Sequence, residues 1–340
     1  MKRNLLIQSI TGLGLTIILH AADFGTVPDP YTGNWSGTLT AGDRQEPLHA
    51  TVVASKARFE VTLRSKPGPR EKAIVVLTGN LEKDRLVLQP SAAAGETNTD
   101  AQWSGQADGN QFTGTIAGRE TGTFSLNKVP FQPSATLGEK APSGATVLFD
   151  GSSLEAWEPR KEPAAPIQWI VKDTGALEVV SLRDGKKNKQ DLKTKAVFGD
   201  YRLHLEFKLA HKPEASGQSR SNSGIFHLGI HETQILDSFG QYGRNNDCGG
   251  IYKFREPDSN AGYPAGLWQT YDIEVKAPRI DEGGKKTADA RMTVRLNGVL
   301  VHDDVALPAA ESKESAKGPI ILQDHGNPVQ FRNIWVVESD

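Results

Sequence analysis

Ser221-Asn222-Ser223-Gly224-Ile225-Phe226-His227-Leu228-Gly229-Ile230-His231-Glu232-Thr233-Gln234-Ile235-Leu236-Asp237-Ser238 is the stretch whose reading decides the fold. It opens on small polar residues and a glycine, then alternates over about two strand lengths. In extended chain, successive side chains point to opposite faces. Phe226, Leu228 and Ile230 then share a face with Glu232, Gln234 and Leu236, while His227, His231, Thr233, Ile235 and Asp237 take the other. A strand that serves only a core has no need of a face that turns polar partway. A bulge or bend near Gly229 can change which group faces inward. Two readings fit the pattern. One is an ordinary sheet strand with a wet end. The other is a carboxylate, an amide and an acid presented on the concave side of a sheet to a polar ligand.

The neighbouring sequence is also strand-like. Tyr201, Leu203, Leu205, Phe207 and Leu209 alternate with Arg202, His204, Glu206 and Lys208, and Tyr271, Ile273 and Val275 alternate with Asp272, Glu274 and Lys276. Met292, Val294 and Leu296 lead into Asn297-Gly298, a strong hairpin signal, and Val299-Leu300-Val301 leads out. Ile320 to Leu322 and Val329 to Val337 complete the set. No segment reads as a helix, so two packed antiparallel sheets are expected.

Residues 31–129 read as a separate small domain. Trp35–Leu39, Leu48–Val53, Phe59–Leu63, Ala73–Leu77, Arg85–Leu88, Gln102–Gln106, Phe112–Ile116 and Thr123–Leu126 each have the length and composition of one strand. An antiparallel β-barrel or small sandwich follows. Trp35 and Trp103 could form a sugar-stacking platform, though tryptophans at strand starts more often belong to a core. Residues 130–145 have no period and contain Pro133 and Pro142, as an ordered linker or strap would. The second domain spans 146–340.

The chain of 340 residues has a net charge of -2 with acids and bases mixed, which gives no reason to expect a nucleic-acid surface. Lys2 and Arg3 precede an apolar run from Leu5 to Leu19, and Ala21-Ala22 follows. This describes a secretory signal peptide over 1–22 and a secreted or periplasmic protein with no membrane attachment after cleavage. Leu19 and His20 stand where a small residue is usual, so an uncleaved anchor is the alternative. Cys248 is the single cysteine, which rules out an internal disulfide and a cysteine-rich zinc site.

Seven segments carry a family resemblance. Leu148-Phe149-Asp150-Gly151-Ser152-Ser153-Leu154-Glu155-Ala156-Trp157 resembles the opening motif of the 3-keto-disaccharide hydrolase domain family. Asn222-Ser223-Gly224-Ile225, Glu232-Thr233-Gln234-Ile235-Leu236-Asp237, Gly250-Ile251-Tyr252, Leu296-Asn297-Gly298-Val299, Leu322-Gln323-Asp324-His325-Gly326 and Phe331-Arg332-Asn333-Ile334 follow in the family's order. The resemblance implies a concanavalin-like jelly-roll β-sandwich acting on glycosides oxidised at C3. Similar secreted proteins often carry a cysteine where this chain has Ala261-Gly262-Tyr263, a departure that leaves Cys248 without a partner.

A ketone at C3 acidifies the proton on C2, so cleavage needs a general base, an electrophile near the C3 oxygen and an acid for the leaving group. Glu232 is the candidate base, at the polar end of its strand. His325, in the polar turn Gln323 to Asn327, is the second catalytic candidate, since imidazole suits acid or base work. Gln234, Asp237, Arg332, Gln323, Asn222 and Tyr252 are the substrate-binding candidates, with Arg332 as a holder of the enolate oxygen. Each also has a plain structural alternative, such as a Glu232–Arg332 or Glu232–Lys253 pair, or a turn cap at Asp237. His227, His231, Asp324 and His325 offer metal ligands, but their spacing matches no tight motif, so no cofactor is favoured. The expected partner is an oligosaccharide or glycoside. A carbohydrate-binding module without catalysis is the competing class, and exposed Tyr252, Tyr263 and Trp268 on the concave face would favour it.

The N-terminal pattern makes a direct prediction. Mass spectrometry of exported material should find a chain beginning near Ala22 or Asp23; an intact Met1 to Leu19 would show an uncleaved anchor.

Overall fold

The computed structural model describes residues 24–90, 101–118, 121–180, 182–183, 186–187, 189–309 and 314–339; the signal-like segment lies outside them. Strands β1 (Gly33–Ala41), β2 (Arg44–Ser55), β3 (Arg58–Arg64), β4 (Ala73–Glu82), β5 (Arg85–Pro90), β6 (Ala101–Ala107), β7 (Gln111–Gly118) and β8 (Gly122–Val129) pair in sequence order. β1 also pairs β8, so the first domain is a closed antiparallel barrel with no free edge. Trp35, 1 % exposed, and Trp103, 7 % exposed, lie in its core with Phe112 and Phe124. They are not a sugar platform.

Two sheets form the second domain. The smaller has five strands in the order Trp157–Pro159, Leu192–Thr194, Ile321–Leu322, Ser223–His227 and His231–Ile235. The larger is built around Tyr201–Lys208, between Trp268–Lys276 and Gln330–Glu338. Leu192, Ile225, Ile235 and Leu322 of the smaller sheet share one core with Leu203, Phe207, Ile273 and Phe331 of the larger.

The decisive stretch is a hairpin rather than one long strand. Leu228 and Gly229 adopt φ of 53° and 76°, and the chain reverses so that His227 faces His231. Parity survives the reversal. Phe226 pairs with Glu232 and Gly224 with Gln234, while Ile225 and Thr233 face the core side.

Residues 133–140 strap the outer surface of the larger sheet. Thr136 Oγ1 donates to Asp272 Oδ2 at 2.7 Å, and the Gly138 N–H donates to Glu206 Oε1 at 2.6 Å. Asn333 Nδ2 reaches the Glu139 carbonyl at 2.8 Å. Arg332 belongs to this latch. Its Nε lies 2.6 Å from Glu206 Oε2, and its guanidinium sits 4.0 Å from the Trp268 ring centroid.

The barrel is docked on the second domain. The Arg70 guanidinium donates to the carbonyls of Tyr242, Gly243, Pro257 and Asp258, and Arg220 donates to the Ala54 carbonyl. A Cβ at Gly240 would lie 2.8 Å from the methyls of Thr51 and Val53, so the glycine permits the close approach of β2.

Cys248 is buried, and a Cβ built on Gly262 would lie 3.8 Å from its Cβ. That separation is typical of a disulfide. Gly262→Cys should therefore bond to Cys248 under oxidising conditions, detectable as loss of two free thiols. Closing a loop of this length should add about 3 kcal/mol of stability. A variant that keeps both thiols after oxidation would contradict this geometry.

Candidate functional site

The site is on the face of the five-stranded sheet turned away from the core. Glu158, Lys193, Ile321, Phe226 and Glu232 are successive cross-strand partners along one row. Tyr252 extends that row, because its N–H donates to the Glu232 carbonyl at 2.9 Å. The next row holds Asp191, Gln323, Gly224 and Gln234. Asp191 precedes Leu192, the partner of Leu322, and the Gln323 N–H donates to the Gly224 carbonyl at 3.0 Å.

Gly224 opens space for Glu232. A Cβ there would sit 2.2 Å from Glu232 Oε1, so the carboxyl lies over bare backbone and any side chain at this position would displace it. Burial pushes the Glu232 carboxyl up to about 7; nearby Asp191 adds to the rise and Lys253 opposes it. A carboxyl with this value is shared between acid and base forms at neutral pH, the condition that suits proton transfer.

Acceptors around Glu232 are left over from folding. Gln234 Oε1, Gln323 Oε1 and Asn222 Oδ1 are buried, and none has a hydrogen-bond partner among the described residues. An unmade buried hydrogen bond costs about 1–3 kcal/mol, which a ligand hydroxyl would recover. Beside them lies a cavity of about 400 Å³ lined by Pro159, Gln168, Gln190, Asp191, Gln323 and His325. Asp324 shapes its rim, accepting from the Gln190 N–H at 3.0 Å and donating its own N–H to Asp191 Oδ1 at 3.0 Å. Arg160 lies 3.4 Å from Asp191 and 5.3 Å from the Phe226 ring centroid, which places a cation in the same neighbourhood.

The structure divides the residues singled out in sequence. Glu232, Gln234, Gln323, Asn222 and Tyr252 share this face, and His325 lines the adjoining cavity. Asp237 lies farther along, ion-paired to Arg220 at 2.5 Å against the barrel. Arg332 is not here: it is on the opposite sheet and braces Glu206 rather than Glu232. Tyr263 packs on Phe131 and Phe24, and Trp268 is buried under Arg332, so neither adds to an aromatic platform on this face.

Among the described residues, the candidate ligands His227, His231, Asp324 and His325 do not group their ligand atoms together. His227 is in the core, with Nδ1 on Tyr201 and Nε2 on Thr233, and burial holds its pKa down at about 3. Among the described residues, Glu139, His204 and Asp272 have ligand atoms within 4.8 Å of one another. All three already have partners in the latch, with His204 on Asp272, Thr136 on Asp272 and Arg202 on Glu139.

Sequence reasoning missed Asp191, Arg160 and the role of Gly224. Asp191 lies in the polar run Lys186 to Lys195, and only sheet register brings it to the site. Gly224 is the one with a local signal, a glycine inside an alternating strand.

Comparison with known proteins agrees with this architecture. Residues 144–337 match the model of the 3-keto-alpha-glucoside-1,2-lyase-like domain family. A crystal structure of a candidate glycosyl hydrolase from Parabacteroides distasonis is 37 % identical, covers 63 % of this chain and 93 % of its own, and superposes with a TM-score of 0.52. A second such structure from the same organism is 19 % identical over 58 % of this chain and 95 % of its own, with a TM-score of 0.43. No curated protein matches the chain.

The Glu232 environment has a consequence for stability. Its native pKa of about 7 exceeds the ordinary 4.5, so the folded state holds an extra proton between those values. That stabilisation is complete below pH 4.5 and is lost as pH rises through 7. Glu232→Gln should therefore be more stable than the parent at pH 8, by up to about 3 kcal/mol, and equal to it at pH 4. Thermal unfolding at both values checks this; equal curves at pH 8 would mean an unperturbed carboxyl.

Proposed function

Because the chain belongs to the 3-keto-alpha-glucoside-1,2-lyase-like domain family, we propose that it cleaves glycosides whose sugar carries a ketone at C3, with Glu232 as the base. The observation that carries this reading is a half-buried carboxyl near pKa 7 set among unsatisfied amide oxygens. A site that only binds sugar has no use for a carboxyl held near neutrality. The aromatic residues that would favour a binding module are mostly elsewhere, Tyr252 excepted.

The Glu232 carboxylate takes the C2 proton, and the electron pair moves onto the C3 oxygen as an enolate. The enolate then re-forms the ketone, makes the C1–C2 double bond and breaks the bond from C1 to the leaving oxygen. That oxygen gains a proton, a role for His325 at the rim of the cavity. Water adds at C1 and passes a proton to His325, which restores the one given to the leaving oxygen, while the Glu232 carboxyl, whose O–H exchanges with solvent, protonates C2. Atoms balance as net hydrolysis without an oxocarbenium ion. The family's description as a 1,2-lyase agrees with elimination across C1 and C2. Arg160 supplies the positive charge for the enolate, the part sequence reasoning gave to Arg332. Asn222, Gln234 and Gln323 accept from sugar hydroxyls.

The experiment compares a 3-keto disaccharide with its unoxidised parent. Only the keto substrate should turn over, with kcat/KM rising through about pH 7 as Glu232 ionises. Glu232→Gln should lose about two to four orders of magnitude in rate. Solvent deuterium should enter C2 of the product. Full activity in Glu232→Gln, or equal turnover of the unoxidised sugar, would overturn the assignment.

A further inference from the structure

Nine buried side-chain polar atoms lack a hydrogen-bond partner among the described residues. Five of them, on Gln168, Gln323, Asn222, Gln234 and Arg220, form a path. Gln168 and Gln323 line the cavity beside Asp191, and Asn222 and Gln234 flank Gly224 on the sheet. Arg220 lines a second cavity of about 630 Å³, formed where the barrel meets the second domain. Its Nη atoms are taken by the Ala54 carbonyl and Asp237, while its Nε has no acceptor although the residue is only 8 % exposed. Asp237, on the wall of this cavity, follows Gln234 by three residues, about 10 Å of extended chain.

We infer that the barrel is part of the binding cleft: the cavity between its β2–β3 hairpin and Asp237 takes the sugar unit on the leaving side of the scissile bond. This rests on the carbohydrate-directed reading above and extends it. Lys56, Arg58 and Arg220 line the cavity against Glu60, Asp237 and Asp247, so donors and acceptors are mixed and neither sign prevails. That lining suits a neutral polyhydroxylated ring, whose hydroxyls both donate and accept, better than an anion. The wall is fixed in place. The Ala57 N–H donates to the Pro213 carbonyl at 2.9 Å, and Arg220 ties β2 to Asp237. The exposed ends of Arg58 and Glu60 are therefore held over the cavity rather than left to move with a tethered domain.

The test is calorimetric binding of maltose and of methyl α-glucoside to the full-length protein. The wild type should bind maltose more tightly. The double variant Arg58→Ala, Glu60→Ala removes polar contacts from the barrel wall, and Ser216→Trp fills the cavity from the other side. Each should weaken maltose binding about tenfold and erase the preference. Maltose carries no ketone, so this result stands even if the elimination chemistry fails. With 3-keto substrates the same variants should lower the ratio of kcat/KM for disaccharide over methyl glycoside about tenfold. No maltose preference in the wild type, or unchanged maltose affinity in both folded variants, would overturn the inference.

Discussion

The contact between the Glu232 carboxyl and the bare backbone of Gly224 is the constraint from which the site follows. Two strands of one hairpin meet there, and a side chain on either strand normally covers the space beside its partner. With none at Gly224, the carboxyl folds down onto the sheet, away from bulk water, where burial and Asp191 raise its pKa to about 7. The register that places Phe226 opposite Glu232 also places Gln234 opposite Gly224. One turn at Leu228-Gly229 therefore sets both the Glu232 carboxyl and an amide neighbour.

Two glutamates in this domain, Glu206 buried and Glu232 half-buried, show how environment sets ionisation. Burial raises Glu206 as it raises Glu232, but His204, Asn333 and Arg332 outweigh it and bring Glu206 down to about 2. Glu206 accepts from the Gly138 N–H at 2.6 Å, Arg332 at 2.6 Å and Asn333 at 2.9 Å. It is saturated, and it anchors the strap that joins the barrel to the larger sheet. Among the described residues Glu232 has no comparable set of donors. The same residue type is a fixed anion on one sheet and a carboxyl that titrates near neutrality on the other.

Much of the fold was legible because period-2 alternation and turn residues are local signals. All eight barrel strands and the Asn297-Gly298 hairpin are visible that way. A barrel or a sandwich was expected there, and the choice between them depends on β1 meeting β8 across the whole domain. Within Ser221 to Ser238 a bulge or bend near Gly229 was expected but not a full reversal, because bulky Leu228 disfavours the positive φ it adopts and gives no turn signal. That Glu232 and Gln234 share a face could be read from parity alone. Arg332 was misplaced because its motif neighbours in sequence say nothing about which sheet its strand joins. Asp191 and Arg160 arrive through register between distant strands, which is a tertiary fact.

The proposed chemistry turns on the ionisation of one group. Carbon-13 NMR of the glutamate side-chain carboxyls, with Glu232→Gln to assign the signal, measures it directly in the unliganded protein. A carboxyl titrating near pH 7 that vanishes in the variant is the result expected. A Glu232 signal titrating near the ordinary 4.5 would contradict the claim that this face of the sheet holds a base poised for proton abstraction.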